Sequence, residues 1–290
     1  MLMQTLVTGI AVGGVYALMA VGYSLIFSIL NFSNFAYGSI IMLGSYAGYF
    51  ALTNFGLPYP LALVSTMLIT ALLSFFNERI SYSSLRKRNA PSLYFMISAM
   101  GTSIFLENIV YATIGASFKA YPPLFAQSTV IIAGAAIGKL DLFAIIFSFA
   151  AISALQFFIR YTRTGVAIRA ASYDSTVAQI NGVNLNFVIG LVFMLAGLLA
   201  GISGVFLGLK YMAYPTMGWI TNKAYISAVI GGLGSLPGAV VGGLILGILE
   251  SLVSVYLLST LRDVFSFSFL IILLLLMPSG LFGKYLEEKV

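Results

Sequence analysis

Two carboxylates stand where a carboxylate is expensive. Glu107, in FLENIVY, and Glu250, in GILESLV, are the acids that fall inside long apolar runs of this 290-residue chain. An ionised carboxylate in hydrocarbon costs several kcal/mol, so each must face protein or a water-filled cavity. Glu107, followed by Asn108, fits either a place on a solute or proton path or a structural role. Glu250 has Lys223 or Arg262 as a pairing partner. In SILNFSNFAYG, the amides of Asn31 and Asn34, with Tyr37 just beyond, either cap and turn the backbone or line a polar path. The longest polar stretch, Arg160 to Asn186, contains RYTRTGVAIRAASYDSTVAQINGVN. There Thr164 is the expected N-cap of a short helix through Ser172. Asp174 is a second N-cap, leading into Ser175 to Asn181, and Gly182 supplies a left-handed stop. Ala170, Ala171, Val177, Ala178 and Ile180 then make an apolar face between Arg169 and Asp174, suited to a groove on another protein. A charged loop resting on lipid headgroups is the plainer alternative. It accounts for the arginines but not for the paired caps. Cysteine and histidine are both absent, which removes thiolate chemistry, imidazole acid–base work and ordinary zinc sites; neither enzymatic activity nor a metal site is expected.

The elements that position these residues follow from composition. The chain is 60% hydrophobic and 8% charged, and no charge occurs from Met1 to Asn77. That balance describes a polytopic membrane protein. Runs long enough to cross the hydrocarbon layer are Leu6 to Ile29, Phe35 to Leu52, Leu61 to Phe76, Leu93 to Ile114, Leu142 to Ile159, Phe187 to Leu209, Ala239 to Leu258 and Phe265 to Met277. Ala224 to Leu233 is too short for an ordinary span and ends in GGLGSLPG, which predicts a short or broken helix. The expected fold is an all-α transmembrane bundle of eight spans plus that broken helix, forming one domain over residues 1–290. The first run lacks a basic flank and an A-x-A cleavage site, so it is read as a retained span.

The net charge of +6 reflects orientation rather than nucleic-acid binding, because no basic stripe with interleaved aromatics exists. Arg86 to Arg88 and Arg160 to Arg169 fall on one side when spans are counted, and short Lys/Arg-rich loops mark the cytoplasmic face. The N-terminus is then expected outside and the C-terminus inside, with membrane lipid around the bundle. Ser117 to Lys139, carrying Tyr121-Pro122-Pro123, becomes an outer loop, either a cap over the bundle or a contact for an external partner. Glycines recur four apart at Gly9 and Gly13, Gly197 and Gly201, and Gly238 and Gly242. With Gly231, Gly232 and Gly234 of GGLGSLPG, they predict close helix packing.

These stretches resemble the permease subunits of branched-chain amino acid ABC importers, the LivH-type family. The resemblance rests on GGVYALMAVGYSL near the N-terminus, NFAYG followed by MLGSY, TRTGVAIRAASYDSTVAQINGVN, LLAGISGVFLG, AVIGGLGSLPGAVVGGLILGILES and PSGLFG, which run through nearly the whole chain. It implies a prokaryotic inner-membrane permease without chemistry of its own. A related second permease, two cytoplasmic ATP-binding subunits and a periplasmic or lipid-anchored solute-binding protein are the implied partners. Carried onto this chain, the segment that couples to the ATPases is Thr164, Gly165, Arg169, Ala170, Asp174, Ala178, Gly182 and Asn184. The chain has no G-x-x-x-x-G-K-[ST] loop, so ATP is expected on a partner and no cofactor here. The sequence departs from the family where Tyr37 and Ser39 replace a usual His and acid, and where Met277 replaces an Arg; this bears on solute range. Urea or short amides are alternative solutes, and a proton- or ion-coupled carrier using Glu107 is the alternative of a different class.

Overall fold

The computed structural model describes residues 2–124, 129–132 and 135–283. Helix α1 (Leu2–Leu30) is the axis of the bundle. Gly9, Ala11, Gly13, Gly14, Ala17, Ala20 and Gly22 keep it slender, so neighbours reach it from almost every side, and an all-round apolar helix belongs in a protein interior or in lipid. α11 (Leu236–Tyr256), α9 (Leu185–Tyr211), α6 (Lys139–Tyr161) and α10 (Thr221–Gly231) pack against it. Around these lie α2 (Tyr37–Thr53) and α3 (Tyr59–Asn77), the latter running through a π-helical turn, Glu78–Tyr82, into α4 (Ser83–Lys87). α5 (Ser92–Thr113) is peripheral, burying only Phe95, Ala99 and Val110, and α12 (Arg262–Leu276) is the last helix among the described residues. The short helices α7 (Arg163–Tyr173) and α8 (Ser175–Ile180) join α6 to α9. A small antiparallel hairpin, β1 (Thr129–Ile132) and β2 (Ala135–Gly138), pairs Thr129 with Gly138 in the loop between α5 and α6.

Among the described residues, seven helices are long and apolar enough to cross a membrane, which corrects the expected eight. The difference is α2. It has 17 residues and starts inside the bundle, because the Tyr37 hydroxyl donates to the Ala196 carbonyl, midway along α9, at 3.2 Å. The preceding chain doubles back into the core, burying Phe32, Asn34 and Ala36. The broken helix expected at 224–233 is α10, 11 residues long and preceded by a 3-10 turn at Pro215–Ile220. Its first residue, Thr221, abuts Gly38 at the start of α2, so two interrupted crossings meet in the interior. Non-helical backbone at membrane depth is tolerated where protein surrounds it, as here.

Small residues set the helix spacing. A Cβ on Gly13 would stand 2.9 Å from Leu244 Cα, and one on Gly201 would stand 3.0 Å from Met67 Cα while overlapping the Thr70 hydroxyl. Gly231 and Gly238 meet backbone to backbone, Gly242 lies against the Ser227 carbonyl, and Gly232 against Gly283. Gly234 departs from the packing expectation: its nearest neighbour would be 3.8 Å away, and its φ of +84° is what requires glycine.

The bundle has two chemically distinct ends. At one, Ser172 Oγ donates to the Ser28 carbonyl (2.7 Å), Arg86 Nη2 to Asn186 Oδ1 (2.9 Å), Gly234 N to Ser24 Oγ (3.0 Å) and Phe282 N to the Gly231 carbonyl (3.0 Å). This is the arginine end. At the other, Lys119 and Ala213 exchange backbone hydrogen bonds of 2.8 and 2.9 Å. Tyr121 donates to the Ser45 carbonyl and Tyr59 to the Pro122 carbonyl. The Tyr-Pro-Pro turn is thereby folded onto the bundle as a cap.

Candidate functional site

The polar stretch forms two capped helices at the arginine end. Thr162, not Thr164, caps α7: its Oγ1 accepts from Gly165 N at 2.9 Å. The chain must turn immediately after α6, because Gly165 presses on the carbonyls of Phe158 and Ile159. That places the extended cap residue two positions earlier than the polarity pattern suggests. Thr164 lies in the first turn, its hydroxyl 3.1 Å from that of Thr162. Asp174 Oδ1 caps α8, accepting from Thr176 N (2.8 Å) and Val177 N (2.9 Å). Gly182, at φ +84°, ends it. Asn184 Oδ1 accepts from Phe187 N at 3.2 Å and starts α9.

The expected apolar face of α7 and α8 is split. Ala171 and Ala178 are each 3% exposed, turned into the molecule, and Ala170 is half-buried. The bulky residues face out instead: Tyr173 is 91% exposed, Ile180 81% and Val177 52%, with Arg169 exposed beside them. Gly165 and Ile168, the latter 2% exposed, are buried with them. These residues anchor the unit, while Tyr173, Val177 and Ile180 are left exposed.

Sequence reasoning missed Glu78. Its side chain is fully buried, 2.5 Å from Arg86 Nη1 and 3.6 Å from Arg79 Nε, and Arg86 also reaches Asn186 at the start of α9. In sequence it sits beside an arginine cluster and reads as a solvated charge; Tyr82, fully buried four residues on, was the available signal.

The residues proposed for a polar path do not converge. Asn31 is exposed, with φ +49°, at the stop of α1. Asn34 is buried, its Oδ1 accepting from Ala36 N (3.2 Å) and from the Tyr82 hydroxyl (2.8 Å), which is a turn-and-cap arrangement. Tyr37 is packed against Gly22. Glu107 is half-buried on α5 and makes no ion pair among the described residues; Asn108 is exposed and bonds its own helix at the Ile104 carbonyl, 2.7 Å. Glu250 resolves differently. It is 2% exposed, and its carboxylate accepts from Lys223 Nζ (2.5 Å), Ser266 Oγ (2.8 Å) and the Tyr16 hydroxyl (2.9 Å), tying α1, α10, α11 and α12 together near the end opposite the arginines. Lys223 also binds Asp263 at 2.5 Å. Of the two partners considered, Lys223 is the one in contact.

Apolar helices joined by glycine seams, with interrupted crossings in the interior and the buried acids Glu78 and Glu250 each in an ion pair, define a multi-pass membrane protein of the permease class. The chain belongs to the family described as branched-chain amino acid transport system / permease component, which matches residues 5–276. It is 39% identical to the high-affinity branched-chain amino acid transport system permease protein LivH of Escherichia coli (strain K12), covering 99% of this chain and 97% of that protein. The corresponding figures are 38%, 99% and 97% for LivH of Salmonella typhimurium, and 35%, 99% and 98% for BraD of Pseudomonas aeruginosa, described in the same words. The solved structure of PsaBC from Streptococcus pneumoniae in complex with Fab shares the fold at TM-score 0.50 and 14% identity, covering 93% of this chain and 89% of that one.

Proposed function

We propose that the chain is the membrane-spanning subunit of an ATP-driven importer that moves branched-chain or other apolar amino acids delivered by an external binding protein. The relatives' named activity supports the solute class. The observation that carries the mechanism is the α7–α8 unit, twice capped and held by Ser172 to the end of α1, yet presenting Tyr173, Val177 and Ile180 outward. A rigid surface with unpartnered bulky apolar groups ringed by arginines suits a groove on an ATP-binding subunit. Thr164, Gly165, Asp174, Gly182 and Asn184 shape the unit, Ala170 and Ala178 seat it, and Arg169 flanks the contact. Closure of the ATPases then pushes on α7, and the Ser172–Ser28 bond carries the movement into α1. In this reading the arginine end is cytoplasmic, the N-terminus outside, and a related permease completes the translocator.

The test is Val177→Asp combined with Ile180→Asp in the reconstituted importer. Both residues are exposed, so the permease should fold and insert normally while ATPase subunits are lost on purification and ATP-dependent leucine uptake falls at least about tenfold, some 1.4 kcal/mol of contact energy. Unchanged ATPase retention and uptake would return the secondary-carrier reading. Competition of uptake by leucine, alanine, urea and acetamide fixes the solute class.

A further inference from the structure

A cleft of about 450 Å³ opens at the end opposite the arginines, between the first turns of α1, the last turns of α9 and α11, and the start of α12. Gln4, Thr8, Ser251 and Ser254 line it with uncharged polar groups, Val12 and Val255 with apolar ones. Two cations reach it, Lys210 and Arg262, and they are not equivalent. Lys210 is neutralised by Asp141 at 2.8 Å. Arg262 is in no ion pair among the described residues; its hydrogen bond is Nη2 to Ser254 Oγ, 3.1 Å, and its Nε is shut away from solvent without a partner. The nearby acid, Glu250, is paired with Lys223 and makes no ion pair with Arg262.

A guanidinium offers five donors in a fork that matches a carboxylate. Here most of that fork is unused at the wall of a cavity within the size range of small-molecule sites. We infer that this cleft binds the carboxylate of a small aliphatic amino-acid zwitterion through Arg262. The carboxylate takes the Nη donors of Arg262 that Ser254 leaves free, while Nε stays buried. The ammonium meets the Ser251, Thr8 and Gln4 oxygens, and the side chain lies on Val12 and Val255. The site would receive solute on the outer side, and it rests on the importer reading above for that solute's class.

The experiment is direct binding to the complete importer in nanodiscs without binding protein or ATP, so that it reads this site and not transport. Leucine and 4-methylpentanoate should each raise the thermal midpoint, while leucinamide, which lacks the carboxylate, should not. Arg262→Gln should weaken leucine binding about tenfold or more, equivalent to about 1.4 kcal/mol, and Arg262→Lys, which keeps the charge but loses the fork, should fall between. Wild-type affinity in Arg262→Gln, or a response to leucinamide equal to that of leucine, overturns the site. So does stabilisation that follows phosphatidylglycerol content in place of leucine, which would make a lipid phosphate the occupant. Should Arg262→Gln not fold, Arg262→Lys and the wild-type ligand series still decide. Failure here with intact ATP-dependent leucine uptake removes the site alone; failure of that uptake in the wild type removes the importer reading.

Discussion

The two ends of the bundle treat charge in opposite ways. At the arginine end, Lys87, Arg88, Arg160, Arg163 and Arg169 are exposed and in no ion pair among the described residues, where the acids at this end are the cap Asp174 and the buried Glu78. At the other end, Lys210 and Lys223 are locked to Asp141, Glu250 and Asp263, and Lys119, Lys139 and Arg262 are in no ion pair among the described residues. Exposed cations add little to stability, whereas a buried pair is costly to break from one side. The first end therefore carries the denser set of unpaired exposed cations, and the second the larger ion-pair network holding helices together.

The comparison predicts an ordered set of effects. The largest is Glu250→Ala, which strands Lys223 and removes the acceptor of Tyr16 and Ser266; a loss of about 3–5 kcal/mol is expected in unfolding of the detergent-solubilised permease. Arg163→Ala, at the arginine end, should stay within about 0.5 kcal/mol. Equal losses at both positions would erase the distinction between the ends. Next is Asp174→Ala, which removes the α8 cap at a cost of about 0.5–2 kcal/mol. Faster hydrogen exchange at the Thr176 and Val177 amides, with the global midpoint nearly unchanged, is the expected signature, and a global collapse would show that α8 supports the bundle. Smallest in energy is Lys87→Cys against Lys119→Cys in this cysteine-free chain. An impermeant thiol reagent added to intact cells should label position 119 and spare 87; the reverse pattern would turn the protein over in the membrane without altering the contrast.

Which parts were readable from sequence follows from the range of the interactions. The Asp174 cap and the Gly182 stop depend on backbone groups within a few residues, so the pattern DSTVAQING suffices. Thr162 in place of Thr164 was decided by Gly165 closing on the carbonyls of α6, a contact that polarity does not encode. The outward direction of Val177 and Ile180 was equally hidden, since six residues are too few to show a helical phase. Glu250 was legible as a costly buried acid, and its partner was narrowed to two cations, but choosing Lys223 needed the antiparallel packing of α10 on α11. Nothing local marks Phe35 to Leu52 as less than a full span, because a helix that begins at mid-depth is as apolar as one that begins at the surface.

The π-helical turn at Glu78–Tyr82 has a consequence for angular phase. Each residue of an α-helix sweeps about 100° and advances about 1.5 Å, and a π-turn holds one residue more than the ladder needs. α4 is thus wound out of step with α3. Wound as plain α-helix with the same number of residues, this segment would carry Arg86 part of a turn away from Glu78 and Asn186 with every charge still present. The direction in which this arginine cluster faces is held in the width of one turn, not in the identity of any one side chain.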